Sequence, residues 1–289
     1  MVIARLIADA SDLETRLAAM VRGIRHSDLI FAEPDAVWLG ESHEILQLEF
    51  DTSEPQMAVN IIETHFPDCD FLMKSDPNAR IDLVVSDMDS TMIGQECIDE
   101  LADYAGIKDQ IAAITERAMQ GEIDFENALR ERVALLAGLD ESAIDRCLEE
   151  RIRPNPGARE LIQGLKAKGA RTVLVTGGFD HFADKVAEQI GFDRVVGNRL
   201  AVKDGKLTGE LDGPISDAST KARVLAEESA KLGEGGVSLA LGDGANDIPM
   251  IEAATYGIAY MAKPKAKAAA DGQIESGNLA NVLTLLGVR

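Results

Sequence analysis

Between residues 157 and 260, short apolar runs alternate with stretches of helical periodicity, and this alternation constrains the fold more than any other feature. Strands are predicted at 171–175, 194–202, 207–211, 237–241 and 257–260, and helices at 157–168, 179–190, 218–232 and 246–254. Strands joined through helices pair in parallel and need helices on both faces, so this region is predicted to be an α/β core. Such sheets take ligands at the carboxyl ends of their strands. An earlier run, Ile81, Leu83, Val84 and Val85, has the same character and ends in "SDMDSTMIGQE" (86–96), two aspartates at the tip of a buried strand.

The 289 residues leave room for more than this core. Residues 2–8, 11–22, 35–39, 44–51, 55–65 and 69–73 read βαββαβ, a small ferredoxin-like α+β pattern. The linker chemistry of "KSDPNARID" (74–82) puts a boundary there, giving domains 1–76 and 77–289. Four helical stretches follow the acidic run, at 95–105, 108–120, 124–136 and 140–150, with Gly106, Gly121 and Gly138 near their joints. They form an insert at about 93–153, closed by "PNPGA". The basic "KPKAK" (263–267) reads as a solvated loop that could touch an anionic ligand.

A formal net charge of −21 argues against nucleic acid and against anionic membrane surfaces, both of which require clustered cations. A small anionic substrate remains compatible, because a few cations, amides and a metal can make a positive pocket inside a negative envelope. Cys69, Cys97 and Cys147 are too dispersed for a zinc or disulfide framework. No signal peptide or membrane span is apparent, so the expected location is cytoplasmic.

Three predicted strands end in groups suited to metal or phosphate: Asp87 and Asp89, then Thr176-Gly177-Gly178, then "GDGAND" with Asp243, Asn246 and Asp247. Any one of these is ordinary turn and cap chemistry. Their convergence at one end of one sheet is not, since several carboxylates there repel each other unless a cation such as Mg²⁺ joins them.

In order along the chain, "DMDST" (87–91), "VTGGF" (175–179), Lys221 and "GDGAND" (242–247) resemble the four motifs of the haloacid dehalogenase-like hydrolases, in particular those acting on phosphoserine. The resemblance runs from about residue 80 to near 270. It implies a Rossmann-like core with a mobile four-helix cap, and Mg²⁺-dependent hydrolysis through an aspartyl-phosphate, the last step of serine biosynthesis. Matched motif by motif, Asp87 would be nucleophile and metal ligand. Asp89 would be acid, then base, and would offer its carbonyl to the metal. Asp243 would be a ligand, with Asp247 supporting the metal shell. Thr176, Gly177 and Gly178 would hold phosphate, Asn246 would touch substrate or phosphate, and Lys221 would balance charge. The residue types suit that chemistry: carboxylate attack on a dianion needs charge cancelled and fixed donors for the equatorial oxygens.

Specificity would come from the insert. By family match Glu96 would meet the ammonium of O-phosphoserine, Arg132 would clamp its carboxylate, and Met119 and Phe125 would close over it. Taken singly, these four could be a helix-end charge, a surface ion pair and core residues. Other amino-alcohol phosphates, phosphohomoserine or phosphoethanolamine, are the alternative substrates, and a ligand-sensing protein with a retired core is the alternative class. The βαββαβ domain resembles ACT-like regulatory modules in element order alone. Dimerisation or stabilisation is as open to it as amino-acid sensing, and a homodimer is a candidate assembly. His181, next to the "TGGF" turn, receives no role.

Overall fold

The computed structural model describes residues 1–26, 33–40, 44–52, 55–74 and 80–288. The chain begins β1 (Val2–Ile7), α1 (Ala10–His26), β2 (Asp35–Leu39), β3 (Ile45–Phe50), α2 (Pro55–His65) and β4 (Asp70–Lys74), the βαββαβ order read from the sequence. Next come β5 (Leu83–Ser86) and four helices, α3 (Cys97–Tyr104), α4 (Lys108–Met119), α5 (Phe125–Ala134) and α6 (Ser142–Arg151). The chain then alternates through α7 (Ala158–Ala167), β6 (Arg171–Phe179), α8 (Asp180–Ile190), β7 (Arg194–Lys203), β8 (Lys206–Asp212), α9 (Ala218–Ser229), β9 (Ser238–Gly242), α10 (Ile248–Ala253) and β10 (Tyr256–Tyr260). Three short elements finish it: α11 (Pro264–Ala269), β11 (Gly272–Ile274) and α12 (Asn281–Leu286).

The core strands β11-β10-β9-β5-β6-β7 pair in parallel, with β5 central between β9 and β6. Their alternate residues bury on opposite faces. Val84, Leu174, Leu239 and Leu241 join one apolar cluster with Leu161, Ile162, Phe182 and Val186 of α7 and α8. Leu83, Val85, Val173, Val175 and Ala240 join another with Val224 and Leu225 of α9 and Met250 of α10. A strand buried on both sides reads as a continuous apolar run, which is why β5 carries Leu83, Val84 and Val85 in succession. β8 departs from the parallel pattern. It folds back on β7 as an antiparallel hairpin, through Asp204 and Gly205, both at positive φ.

β1 to β4 lie in the order β2-β3-β1-β4, all antiparallel, with their own apolar core around Leu13, Met20, Ile62 and Phe66. β4 also pairs antiparallel with β11, so a single sheet of 11 strands runs through the molecule. At that seam Gly272 is required by space, since a Cβ on it would lie 2.3 Å from the Phe71 carbonyl oxygen. The buried Asp70 side chain accepts from the Glu275 and Ser276 amides, the Ser276 hydroxyl and Asn281 Nδ2, at 2.6–2.8 Å. Of the linker stretch 74–82, residues 75–79 lie outside the described residues.

"KPKAK" is not a loop. It starts α11, with Pro264 in the first turn, where its missing N–H costs nothing. α11, β11 and α12 are elements of six, three and six residues that the sequence pattern beyond residue 260 does not announce.

Candidate active site

The chain leaves β5 at Ser86, and the Asp87 amide donates to the Leu241 carbonyl of β9 at 3.0 Å, tying Asp87 to its neighbouring strand. The three strand tips converge here, and α9 supplies a cation. Asp217 caps α9 by accepting from the Thr220 amide at 3.0 Å, which directs Lys221 inward from the first turn. Lys221 is 1% exposed, with Nζ 2.6 Å from Asp87 Oδ1 and 2.6 Å from Asp247 Oδ1. The other Asp247 oxygen accepts from the Asp243 and Gly244 amides at 3.1 and 3.0 Å, fixing the "GDGAND" turn. Gly242 allows this closeness, since a Cβ there would come within 2.4 Å of the Asp247 side chain.

One carboxylate oxygen from each of Asp87, Asp243 and Asp247 lies within 4.8 Å of the others, a group of hard donors suited to a divalent cation. The Asp89 carboxylate stands apart from that trio. It accepts from the Cys97 amide at 2.9 Å and from the Thr176 hydroxyl at 3.2 Å, and so bridges the first helix of the insert and the end of β6. Thr176 Oγ1 in turn accepts from the Gly178 amide at 2.8 Å. A Cβ on Gly178 would lie 2.7 Å from Asp89 Oδ2, so only glycine lets that turn approach.

The electrostatics follow from burial. Asp87 is pushed well above the ordinary carboxylate range by desolvation, which Lys221 opposes and Asp247 reinforces. Asp89 is raised by burial against the pull of its bonds from Cys97 and Thr176, and Asp243 is raised by burial and by Asp247. Burial works against the Lys221 charge, but the fields of Asp87 and Asp247 outweigh it and raise the lysine. Glu96 is pushed up to about 7 by desolvation and by Asp89, even though its edge reaches solvent at the cleft mouth.

These groups floor a cavity of about 620 Å³ whose wall comes from the insert. Asp87, Asp89, Glu96, Phe125, Arg132, Thr176, Gly177, Gly178, Lys221, Asp243 and Asn246 all line it. Asp247 lies fully buried behind them. Phe125, 44% exposed, reaches over Gly177, and the side chain of Met119 lies outside the described residues. Arg132 is half-buried, donates to the Ala128 carbonyl at 3.3 Å and forms no ion pair among the described residues. His181 Nδ1 lies 2.9 Å from Asp180 Oδ1 but makes no hydrogen bond among the described residues, and His181 does not line the cavity.

Sequence reasoning missed several contributors. Lys263 lines the cleft beside Asp243, and its amide donates to the Asp243 carbonyl at 3.0 Å. The Cys97 contact with Asp89 is made by backbone and leaves no signature in residue type. Asn198 and Ser216 brace the Thr176-Gly177-Gly178 turn from below. Asn198 Nδ2 donates to the Gly177 carbonyl at 2.8 Å, its Oδ1 accepts from the Ser216 amide at 2.7 Å, and Ser216 Oγ donates to the Thr176 carbonyl at 2.8 Å. Asp217 had a readable signal, an N-cap residue immediately before a helical stretch.

Among the described residues no helix is long and apolar enough to cross a membrane. The sequence model of the haloacid dehalogenase-like hydrolases matches residues 84–252, and a second model of the same description matches 236–286. A phosphoserine phosphatase of Archaeoglobus fulgidus is 46% identical over 205 residues, 71% of this chain but only 59% of that protein. A probable phosphoserine phosphatase of Schizosaccharomyces pombe is 43% identical over 256 residues, 86% of each chain. Among solved structures, a phospho-aspartyl intermediate analogue of phosphoserine phosphatase superposes with a TM-score of 0.63 at 41% identity, over 71% of this chain and 99% of the other. With its four motifs gathered in one cleft and these relatives spanning most of its length, the chain belongs to the haloacid dehalogenase-like hydrolases, and within them to the phosphoserine phosphatase family.

Proposed function

We propose that the protein hydrolyses O-phosphoserine to serine and phosphate through an aspartyl-phosphate on Asp87, the last step of serine biosynthesis. The supporting observation is one juxtaposition: Asp87, held by buried Lys221, lies beside the Thr176-Gly177-Gly178 turn in a cleft whose wall carries Glu96 and Arg132. Glu96 and Arg132 suit the ammonium and carboxylate of the amino acid, and among the described residues the planar Arg132 guanidinium forms no ion pair of its own.

The Thr176 hydroxyl and the glycine amides hold the phosphate oxygens as charge spreads across them. Attack forms an Asp87 Oδ–P bond and breaks the bond from phosphorus to the serine oxygen. Asp89, whose raised titration favours the protonated acid, gives its proton to the departing oxygen. In the second half Asp89 takes a proton from water as that water's oxygen bonds to phosphorus, and Asp87 is released. Lys221 offsets charge on Asp87 throughout.

Mg²⁺ is the proposed metal, held by Asp87, Asp243 and the Asp89 carbonyl with Asp247 supporting them, and when bound it would draw negative charge from the transferring group. The cluster of hard carboxylate oxygens fits such an ion. The insert at about 93–153 acts as a cap in which Met119 and Phe125 close over the ester and exclude water. Residues 1–76 form an ACT-like domain, with a homodimer as its candidate assembly, followed by the phosphatase at 77–289.

Phosphate release from O-phosphoserine with Mg²⁺ tests the reading. Asp87→Asn should lower kcat at least about 10³-fold. Undiminished release by that variant would end the covalent route.

A further inference from the structure

Directly after Asp89, Ser90 adopts a φ of 55°, in the left-handed region that a residue with a Cβ rarely enters. The turn around it is tight. The Met88 carbonyl accepts from the amides of Thr91, Met92 and Ile93, and the Ser90 amide donates to the Gln95 carbonyl at 3.3 Å. This winding turns the chain back on itself, so that Ser90 Oγ donates to Glu96 Oε1 at 2.7 Å, six residues later. Glycine would meet the backbone demand with less strain but has no hydroxyl. Glu96 is a long carboxylate among other acids, Asp89 and Asp99, and without an anchor it would swing toward solvent at the mouth. The hydroxyl takes one of its oxygens and leaves the other for a ligand.

We propose that Ser90 is a positioning residue that holds the Glu96 carboxylate at the cleft wall, and so sets a preference for phosphate esters carrying an ammonium group. This rests on the phosphoserine reading above. It is tested by steady-state kinetics of the full chain on O-phosphoserine and on 3-phosphooxypropionate, the same ester without its ammonium. Ser90→Gly relieves the backbone and removes the hydroxyl, whereas Ser90→Ala removes the hydroxyl and keeps the strain. Both variants should raise KM for phosphoserine about five- to tenfold, within the net range of one typical hydrogen bond, with kcat within about twofold. The loss in kcat/KM should be at least about fivefold greater on phosphoserine than on the ester lacking the ammonium. Equal losses on both esters, no loss, or a loss confined to kcat would overturn the role of Ser90. If the wild type does not prefer phosphoserine to the other ester, the substrate reading fails first and the inference falls with it. If that preference survives in both variants, only the inference fails.

Discussion

The two ends of α9 bury charge in opposite ways. Near its start Lys221 stands between Asp87 and Asp247, with Asp243 close by, so the cluster has more negative than positive charge. In its last turn Glu228, 3% exposed, meets Arg194, Lys231 at 2.7 Å and Arg171 at 3.5 Å, whose exposed stems keep their surplus charge solvated. Burial raises Asp87, whereas at Glu228 burial is outweighed by Lys231 and Arg194 and the carboxyl is lowered. Arg171 and Arg194 begin their strands; Asp87 and Asp243 follow the ends of theirs. One end of the sheet is thus electrostatically satisfied and serves stability. The other carries surplus negative charge, which the proposed cation would offset.

Removing Lys221 should break this contrast most severely. Lys221→Met leaves two buried carboxylates without their shared cation and should cost about 3–5 kcal/mol in urea unfolding with chelator present. A loss no larger than that of a Glu228 variant would deny that the catalytic end is strained by its charge.

The next effect concerns pH, where two glutamates should respond in opposite senses. With Glu96 raised to about 7, the carboxylate proposed to meet the ammonium is lost as pH falls through that value. kcat/KM for phosphoserine should therefore drop about tenfold between pH 8 and pH 6, and Glu96→Gln should lack this limb. A wild-type profile flat over that range, or the same limb in the variant, would remove Glu96 from the ammonium site.

Smallest is the effect at Glu228. Its folded titration lies below the unfolded value, so its stabilisation is present above the ordinary glutamate range and fades as pH falls through the folded value. Glu228→Gln should lower unfolding stability by about 1 kcal/mol at pH 7, with the difference from wild type vanishing toward pH 3. A deficit that persists in acid would point to packing rather than charge.

The acidic and glycine-rich strand tips were legible because each combined two local signals, a run of buried strand residues and a break into aspartate or glycine. Lys221 was legible only through its order between motifs, since its own helix position is that of an ordinary surface lysine. The insert helices came within a few residues because glycines such as Gly106, Gly121 and Gly138, all at positive φ, punctuate them. Less visible was how the acids divide their work. Asp247 shares Lys221 with Asp87, while the Asp89 carboxyl turns toward Cys97 and Thr176. No spacing rule distinguishes these, because the partners that part them come from segments distant along the chain.

Local sequence determined the order of strands and helices, the acidic and glycine-rich tips, and the types of group available for chemistry, since periodicity and turn preference act over a few residues. Tertiary structure alone decided the β4–β11 seam, the brace of Asn198 and Ser216, and the backbone bond from Cys97 to Asp89. Those contacts join residues distant along the chain or use amides that every residue possesses, so their energies depend on packing that no short stretch encodes.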